Sequence, residues 1–227
     1  MHNVSFVYPN GVKALHNINL RIEKGEFVFL VGPTGTGKST LLKLIYCAEY
    51  PTEGRVIVAG RDISRLAKKE IPLLRRRLGI VFQDFRLIPT RTVRENVSFA
   101  LRAIGMSRRD ILRKLPEVLD IVGLTDKADA YPAQLSAGEQ QRVAIARAIV
   151  NNPLILLADE PTGNLDPDTS LEIVNLLARI NLMGTTVLTA THDKFIVDKM
   201  RKRVITLENG RIVSDKERGV YGRYASE

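Results

Sequence analysis

The segment GPTGTGKST, residues 32–40, combines three glycines with a lysine and hydroxyl side chains directly after the apolar run FVFLV. Its spacing matches G-x-x-x-x-G-K-[ST], a pattern that binds nucleotide phosphates between a strand and a helix. Backbone N–H groups of such a loop and the positive end of the next helix attract phosphate oxygens. We predict that Lys38 neutralises the β- and γ-phosphates and that Ser39 offers its hydroxyl to Mg²⁺. The residues of this phosphate loop are Gly32, Pro33, Thr34, Gly35, Thr36, Gly37, Lys38, Ser39 and Thr40.

Two adjacent carboxylates follow a second apolar run, LILLADE at residues 154–160. A phosphate loop needs an acidic partner for its metal ion, and Asp159 at the end of a buried strand is suited to the Mg²⁺ shell. Glu160, one residue further, is placed to orient or deprotonate a water molecule that attacks the γ-phosphate. The alternative is that these carboxylates only begin a turn or cap the next helix.

The strand and helix patterns around these groups predict an α/β fold. The runs VSFVY, LHNINLRI and EFVFLV predict short strands, and KSTLLKLIYCA has helical spacing. LILLAD and TTVLTAT predict two further strands, separated by the helical DTSLEIVNLLARINL. Continuous apolar strands that alternate with helices indicate a parallel sheet covered on both faces. VITLENGRIV predicts a closing hairpin that turns at Asn209 and Gly210.

The region from about residue 85 to residue 150 has a mainly helical pattern. Two sets of apolar residues recur with a period near 3.6. We therefore predict a helical insert, in which Pro116 is either a kink or the restart of a helix. The two sets are Ile111, Leu112, Leu115, Leu119 and Val122, and Val143, Ile145, Ala146 and Ile149.

The composition is that of one globular unit. The chain has 227 residues, 44% of them hydrophobic, and its single cysteine, Cys47, cannot form an intrachain disulfide. No stretch approaches the roughly 18 apolar residues of a membrane span. The N-terminal segment MHNVSFVYPN lacks the apolar region of a signal peptide, so we expect a cytosolic location.

The formal net charge is +9, and basic residues cluster at 65–79, 108–114 and 199–203. Such clusters suit either solvated surfaces or proximity to anionic membrane lipid. Proteins that bind single-stranded nucleic acid add aromatic stacking residues, but this chain has no Trp and its basic clusters contain no Phe or Tyr. We therefore expect no nucleic acid as partner.

A third motif connects these features with a known family. The segment QLSAGEQQRVAIARAIV, residues 134–150, resembles the LSGGQ-type signature of the ATP-binding-cassette family, and DEPTGNLD and ATHD follow in that family's order. The resemblance covers nearly the whole chain. It implies one ATP-hydrolysing domain over residues 1–227, with ATP and Mg²⁺ as ligands. The implied parts are a RecA-like P-loop NTPase core at 1–84 and 151–227, which includes antiparallel N-terminal strands, and a helical signature subdomain at 85–150.

The resemblance also implies roles for single residues. Tyr8 would stack on adenine, with a half-buried strand tyrosine as the alternative. Gln83 would sense Mg²⁺ and link the core to the helical subdomain, and His192 would hold the γ-phosphate and the attacking water. The implied catalytic residues are therefore Glu160, His192 and Gln83, and the implied metal-contacting residues are Ser39, Gln83 and Asp159.

Members of this family hold two ATP molecules between two head-to-tail subunits, so the resemblance implies a homodimer. Ser136 and Gly138 would contact the γ-phosphate bound by the second copy, and Ser136 could also serve as a helix N-cap. Asp166 in GNLD would touch the opposite subunit. Ala137 departs from the signature glycine; if the backbone there needs a positive φ, its methyl group would cost about 1 kcal/mol and slow catalysis.

Within the family, FQDFRL, LLADEPTGNLD and the tail KERGVYG are similar to the cell-division ATPases, in particular to their actinobacterial branch. Those ATPases work with an integral membrane subunit through which they regulate cell-wall hydrolases. The resemblance implies a position on the inner face of the cell membrane, with residues 84–96 as a docking segment. Packing inside the helical subdomain accounts equally well for the apolar residues Phe85, Leu87, Ile88 and Pro89. ATPases of lipoprotein release, macrolide export or solute uptake remain the alternative, since the first two also carry GNLD.

Overall fold

A six-stranded sheet forms the centre of the computed structural model, which describes residues 1–219. In chain order the strands are β1 (His2–Val7), β2 (Lys13–Ile18), β3 (Phe27–Val31), β4 (Glu53–Arg55), β5 (Ile57–Val58), β6 (Arg61–Asp62), β7 (Leu78–Val81), β8 (Ile155–Asp159), β9 (Thr186–Thr191), β10 (Arg203–Glu208) and β11 (Arg211–Lys216). The helices are α1 (Lys38–Ile45), α2 (Ile71–Arg75), α3 (Val93–Ala103), α4 (Arg108–Val122), α5 (Ala137–Ile149), α6 (Pro167–Leu182) and α7 (Lys194–Met200). The last three residues of KERGVYG, 220–222, lie outside the described residues.

The central sheet has the strand order β11-β10-β3-β9-β8-β7. The strands from β10 to β7 are parallel, and β11 is antiparallel to β10. All five residues of β3 are buried, as expected for a strand that is covered on both faces. The predicted α/β fold with a parallel sheet is confirmed.

Alternate residues of β3 belong to two different cores. Phe27 and Phe29 pack into a core that includes apolar residues of α3, α4, α5 and α6. Val28 and Leu30 pack into a second core with α1 and the small antiparallel sheet β2-β1-β4. The predicted N-terminal strands therefore divide, because β1 and β2 join the antiparallel sheet whereas β3 joins the central one.

The helical region contains α3, α4 and α5 and two short 3-10 helices, Thr125–Lys127 and Pro132–Gln134. Helix α4 continues through Pro116, so of the two predicted alternatives the restart is wrong and the kink stays a prediction. The predicted apolar stripe of α4 is buried except for Leu112, which is 61% exposed and belongs to the outer face. No strand among the described residues lies between β7 and β8. This layout fits a helical subdomain at 85–150, whose boundaries stay a prediction.

Strand β7 is the element of the central sheet that the sequence patterns did not indicate. It has four residues and follows directly on Arg75, Arg76 and Arg77, which lie exposed in the basic cluster at 65–79. The charge of that cluster obscured the apolar run LGIV that comes after it. The hairpin of β10 and β11, in contrast, is confirmed with Asn209 and Gly210 at positive φ in its turn.

The carboxyl ends of β3, β9, β8 and β7 meet along one edge of the sheet, where α/β proteins bind ligands. The phosphate loop follows β3, Asp159 ends β8 and His192 follows β9. Gln83 lies two residues after the end of β7. The fold therefore brings these four features to the same edge. None of the helices described within residues 1–219 is long and apolar enough to cross a membrane.

Candidate active site

The phosphate loop is folded tightly around the side chain of Lys38. Its Nζ donates to the carbonyl oxygens of Gly32 at 2.8 Å and Pro33 at 3.0 Å. Burial lowers the pKa of this ammonium group, while the nearby carboxylates of Glu160 and Asp159 raise it. A cation held inside a ring of backbone groups is well placed to meet phosphate oxygens.

Two glycines of the loop cannot be replaced without a clash. Gly32 has φ +144°, and a Cβ there would lie 2.1 Å from the carbonyl oxygen of Leu207. Gly37 has φ +101° and is the N-cap residue of α1, and a Cβ there would lie 2.5 Å from the carbonyl oxygen of Ala14. The loop therefore needs glycine for its backbone conformation and for its close packing against neighbouring strands.

Ser39 and Asp159 meet at the base of the loop. The Ser39 hydroxyl donates to Oδ1 of Asp159 at 2.9 Å. Burial raises the pKa of this carboxyl group, and the hydrogen bond from Ser39 lowers it. Hydroxyl and carboxylate oxygens are the hard ligands that Mg²⁺ prefers, and a buried carboxylate gains from a neighbouring cation. These residues therefore fit a Mg²⁺ ion that takes its other ligands from phosphate and water. Among residues 1–219, no group of three or more His, Cys, Asp or Glu side chains is arranged to hold a metal by itself.

Glu160 and His192 are in direct contact. Nδ1 of His192 lies 2.7 Å from Oε2 of Glu160. The backbone of Glu160 has φ +49°, a conformation that costs a non-glycine residue free energy and is enriched at functional sites. Its N–H donates to the carbonyl oxygen of Ala190 at 2.9 Å, which fixes this turn on the end of β9.

Gln83 is exposed and lies against the loop that follows Glu160. Its main-chain carbonyl oxygen accepts a hydrogen bond from Nδ2 of Asn164 at 3.4 Å. A Cβ added to Gly163 would lie 3.2 Å from the side-chain nitrogen of Gln83. The segment after β7 and the loop before α6 are therefore in close contact beside Glu160.

Tyr8 follows β1 and is half-buried, with the edge of its ring near Phe6. The ring centroids are 4.7 Å apart. Its hydroxyl lies 2.8 Å from Oγ1 of Thr40 in the first turn of α1. The predicted adenine-stacking residue is thus linked directly to the phosphate loop.

The signature residues begin helix α5. Ser136 is the N-cap, and its hydroxyl oxygen accepts from the Glu139 N–H at 3.2 Å, while Glu139 Oε2 accepts from the Ser136 N–H at 2.8 Å. The Ser136 N–H, and after it the Lys127 and Ser136 side chains, lower the pKa of the Glu139 carboxyl group through hydrogen bonds. Ala137 is the first helical residue and is not among those with positive φ. The cost expected for Ala137 depended on a positive φ, and the residue does not have one, so this cost is absent.

Gly138 and Asp166 connect α5 with α6. A Cβ on Gly138 would lie 2.5 Å from Cγ2 of Thr169, so only glycine fits this crossing. Asp166 is the N-cap of α6 and accepts from the Thr169 N–H at 3.0 Å. Hydrogen bonds from the Thr169 hydroxyl and then from its N–H lower the pKa of the Asp166 carboxyl group.

The predicted residues form one cluster and one separate group. The contacts Ser39–Asp159, Glu160–His192 and Tyr8–Thr40 surround the carboxyl edge of the sheet. Ser136 and Gly138, in contrast, have their described hydrogen bonds and close approaches within α5 and to α6. Sequence reasoning missed the capping role of Glu139, although S-x-x-E before a helix signals it. It also missed Asn164 and Arg147, whose carbonyl contacts leave no sequence pattern.

Comparison with known proteins identifies the class. The chain matches the family model described as ABC transporter over residues 15–163. The dimeric post-hydrolysis structure of the ATP-binding cassette MJ0796 bound to ADP and Pi is 39% identical, with a TM-score of 0.86 over 97% of this chain and 98% of that one. A dimeric structure of MJ0796, described as a bacterial ABC transporter cassette, is 40% identical with the same TM-score over the same shares of both chains. The chain therefore belongs to the ABC transporter family and is an ATPase.

Similar relatives within that family are cell-division proteins. The cell division ATP-binding protein FtsE of Mycobacterium tuberculosis is 59% identical over 92% of this chain and 91% of that protein. FtsE of Bacillus subtilis is 56% identical over 99% of this chain and 98% of that protein. The similarity to FtsE thus extends over nearly the full length of this chain and of each relative.

Proposed function

We propose that the chain hydrolyses ATP as a head-to-tail homodimer, in which each nucleotide lies between the phosphate loop of one copy and the start of α5 in the other. The observation that carries this proposal is the separation of these two parts within one copy. Helix α5 packs against α3, α4, α6 and β7, whereas α1, which follows the phosphate loop, packs against β2 and β8. The dimeric structures of MJ0796, one of them bound to ADP and Pi, support a dimer of this chain.

Within one copy, the phosphate loop surrounds the phosphates and Tyr8 stacks on adenine. Lys38 faces the β- and γ-phosphates. Ser39, Asp159 and Gln83 would hold a Mg²⁺ ion, which would supply further positive charge to these phosphates. The buried position of Asp159 and its hydrogen bond with Ser39 support this assignment.

Hydrolysis depends on Glu160 and His192 of the same copy. Glu160 accepts a proton from the water that attacks the γ-phosphorus, and ADP leaves with the electrons of the broken bond. His192 holds the γ-phosphate and orients the Glu160 carboxylate through their 2.7 Å contact. From the second copy, the Ser136 hydroxyl donates to the γ-phosphate and the start of α5 adds its positive helix end. Gly138 lies against the same phosphate, and Asp166 touches the opposite subunit.

We further propose that this ATP cycle drives an integral membrane subunit of the FtsX type and so regulates cell-wall hydrolysis during cell division. The chain then lies on the cytoplasmic face of the cell membrane through its partner. The cell-division names of its FtsE relatives support this role. In the docking segment 84–96, Pro89 is exposed, whereas Leu87 packs partly against the helical core. We propose that docking uses Pro89, while Leu87 serves internal packing.

The dimer is tested by light scattering of the Glu160→Gln variant with saturating ATP. We expect twice the mass of one chain with ATP and the mass of one chain with ADP, because only the triphosphate bridges both halves of the site. A single-chain mass at saturating ATP would contradict the homodimer.

The partner is tested by affinity isolation from native membranes. We expect a polytopic membrane protein to copurify with the parent chain and to be lost with Pro89→Asp. Leu182→Asp, at a side chain that is 83% exposed outside the docking segment, is the matched control. Retention by Pro89→Asp would count against docking at this segment. Recovery of a transport permease would instead favour a transporter ATPase.

A further inference from the structure

Helix α5 has the signature serine at one end and a half-buried arginine near the other. Ser136 is its N-cap, and Arg147 lies in its last turn. Eleven residues of helix separate them by about 16 Å, given a rise of 1.5 Å per residue. The guanidinium group of Arg147 donates through Nη2 to the carbonyl oxygen of Phe85 at 2.8 Å and through Nη1 to that of Arg86. Burial lowers the pKa of Arg147, because two neutral carbonyl groups replace water around its guanidinium group.

The two carbonyl groups belong to an unusual turn. Phe85 has φ +55° and Arg86 has φ +51°, and two successive non-glycine residues seldom adopt this conformation. The Arg86 side chain lies over the ring of Phe82, 3.7 Å from its centroid. Such a turn persists only where its surroundings hold it. The N–H groups of Phe85 and Arg86 bond to carbonyl groups within the same segment, and the Arg147 side chain donates to both of their carbonyl oxygens.

The same turn begins two residues after Gln83. On one side, Nδ2 of Asn164 donates to the Gln83 carbonyl oxygen at 3.4 Å. On the other side, Arg147 binds the carbonyl oxygens two and three residues further along the chain. The position of the glutamine is thus set by one contact from the loop before α6 and one pair of contacts from α5.

We propose that Arg147 is a positioning residue for Gln83, which it couples to the signature helix by holding the turn at Phe85 and Arg86 on α5. When α5 moves on contact with the nucleotide of the other copy, it then also moves Gln83 of its own copy. This inference rests on the proposed function, because Gln83 matters here only as a ligand of Mg²⁺ and water.

Helix α5 itself supplies a matched control. Arg142 is also half-buried and also donates to a backbone carbonyl, that of Val122, at 3.1 Å. Its second contact is with Glu172 at 2.8 Å, so it joins α5 to α4 and α6 and not to the Gln83 segment. Arg142→Met therefore measures the loss of a comparable packing contact.

The first measurement is amide hydrogen exchange of residues 84–88 in the full chain without nucleotide. We expect Arg147→Met to accelerate exchange in this segment by about tenfold, the effect of losing hydrogen bonds that oppose local opening. Arg142→Met should leave the segment at the parent rate. Equal protection in the parent and Arg147→Met would overturn the proposal, as would equal acceleration in the two variants.

The second measurement is the affinity for ATP at increasing Mg²⁺ concentration, from which we take the concentration that gives half of the full affinity. We expect Arg147→Met to raise it severalfold and Arg142→Met to leave it unchanged. Arg147→Lys, which keeps the charge and can reach a carbonyl, should recover part of the difference and remains informative if the Met variant does not fold. Gln83→Ala tests the proposed metal role of Gln83 separately from the positioning role of Arg147. No shift with Gln83→Ala would contradict the proposed metal role, whereas a shift with Gln83→Ala and none with either Arg147 variant would overturn the inference alone.

Discussion

Glu160 combines the features expected of a catalytic base at the scale of a single residue. Its backbone is held at φ +49° and its carboxylate lies 2.7 Å from His192. The sequence indicated Glu160 through the carboxylate pair after an apolar run, and the family resemblance that includes ATHD implied His192. It could not indicate the contact between them, because this depends on β8 and β9 being neighbours in the sheet.

Replacing Glu160 by glutamine should lower ATP turnover by roughly 10² to 10⁴, the usual contribution of general-base catalysis. Glutamine keeps the size of the side chain but is not basic enough to take the proton of the attacking water. The measurement is phosphate release at saturating ATP. Glu53→Gln on the exposed strand β4 is the control and should match the parent. Undiminished turnover in Glu160→Gln would remove this residue from the mechanism.

Replacing Tyr8 by phenylalanine should weaken ATP binding by about fivefold, because the ring loses the hydrogen bond of about 1 kcal/mol that holds it in place before ATP binds. The ring proposed to stack on adenine is kept, while the 2.8 Å contact with Thr40 is lost. Isothermal titration calorimetry with ATP measures the change. Tyr50→Phe is the control, because the Tyr50 hydroxyl donates to the carbonyl oxygen of Leu66, outside the site residues. Unaltered affinity in Tyr8→Phe would show that the hydroxyl has no part in binding.

At the scale of elements, apolar patterns predicted the strongly buried segments well. The patterns of β3, β8, β9 and α6 were sufficient because most residues of these strands are buried and α6 has a buried face over 16 residues. The pattern failed at Leu112, since one apolar residue beside the stripe of α4 looks the same as a member of it. Strand β7 was missed because four residues after an arginine run carry little periodic signal.

Ala137 allows a test of the start of α5. Because its backbone is helical and its side chain is exposed, Ala137→Gly should lower the free energy of unfolding by about 0.5 to 1 kcal/mol, the helix-propensity difference between these residues. Restoring the signature glycine should not speed turnover through the backbone. Urea unfolding and steady-state ATPase rates measure the two effects. A glycine variant that is more stable than the parent would mean that the helix start is strained.

At the scale of the whole molecule, the proposed site is divided between two copies, and a mixture of variants can test this. Lys38→Ala removes the phosphate contact within a copy, and Ser136→Ala removes the contact to the other copy. Each variant alone should have little ATPase activity. In an equimolar mixture, half of the dimers contain one of each, and one of their two sites has both residues intact. The mixture should therefore recover about a quarter of the parent activity.

The measurement is the ATPase rate of the mixture against the sum of the two separate variants. An equimolar mixture of Lys38→Ala with Lys38→Ala,Ser136→Ala is the control, since none of its sites has both residues intact. If the ATPase rate of the Lys38→Ala and Ser136→Ala mixture exceeds the sum of the separate rates, the sites are shared between copies. A rate equal to the sum would mean that each copy completes its own site.

The distance between the start of α5 and the phosphate loop within a copy has a kinetic consequence. If pairing is required for every turnover, the rate per chain should rise in proportion to protein concentration when chains are dilute, and level off once pairs predominate. A cell could then regulate this ATPase through its abundance or its gathering at one location, with no change in the chemistry of the site.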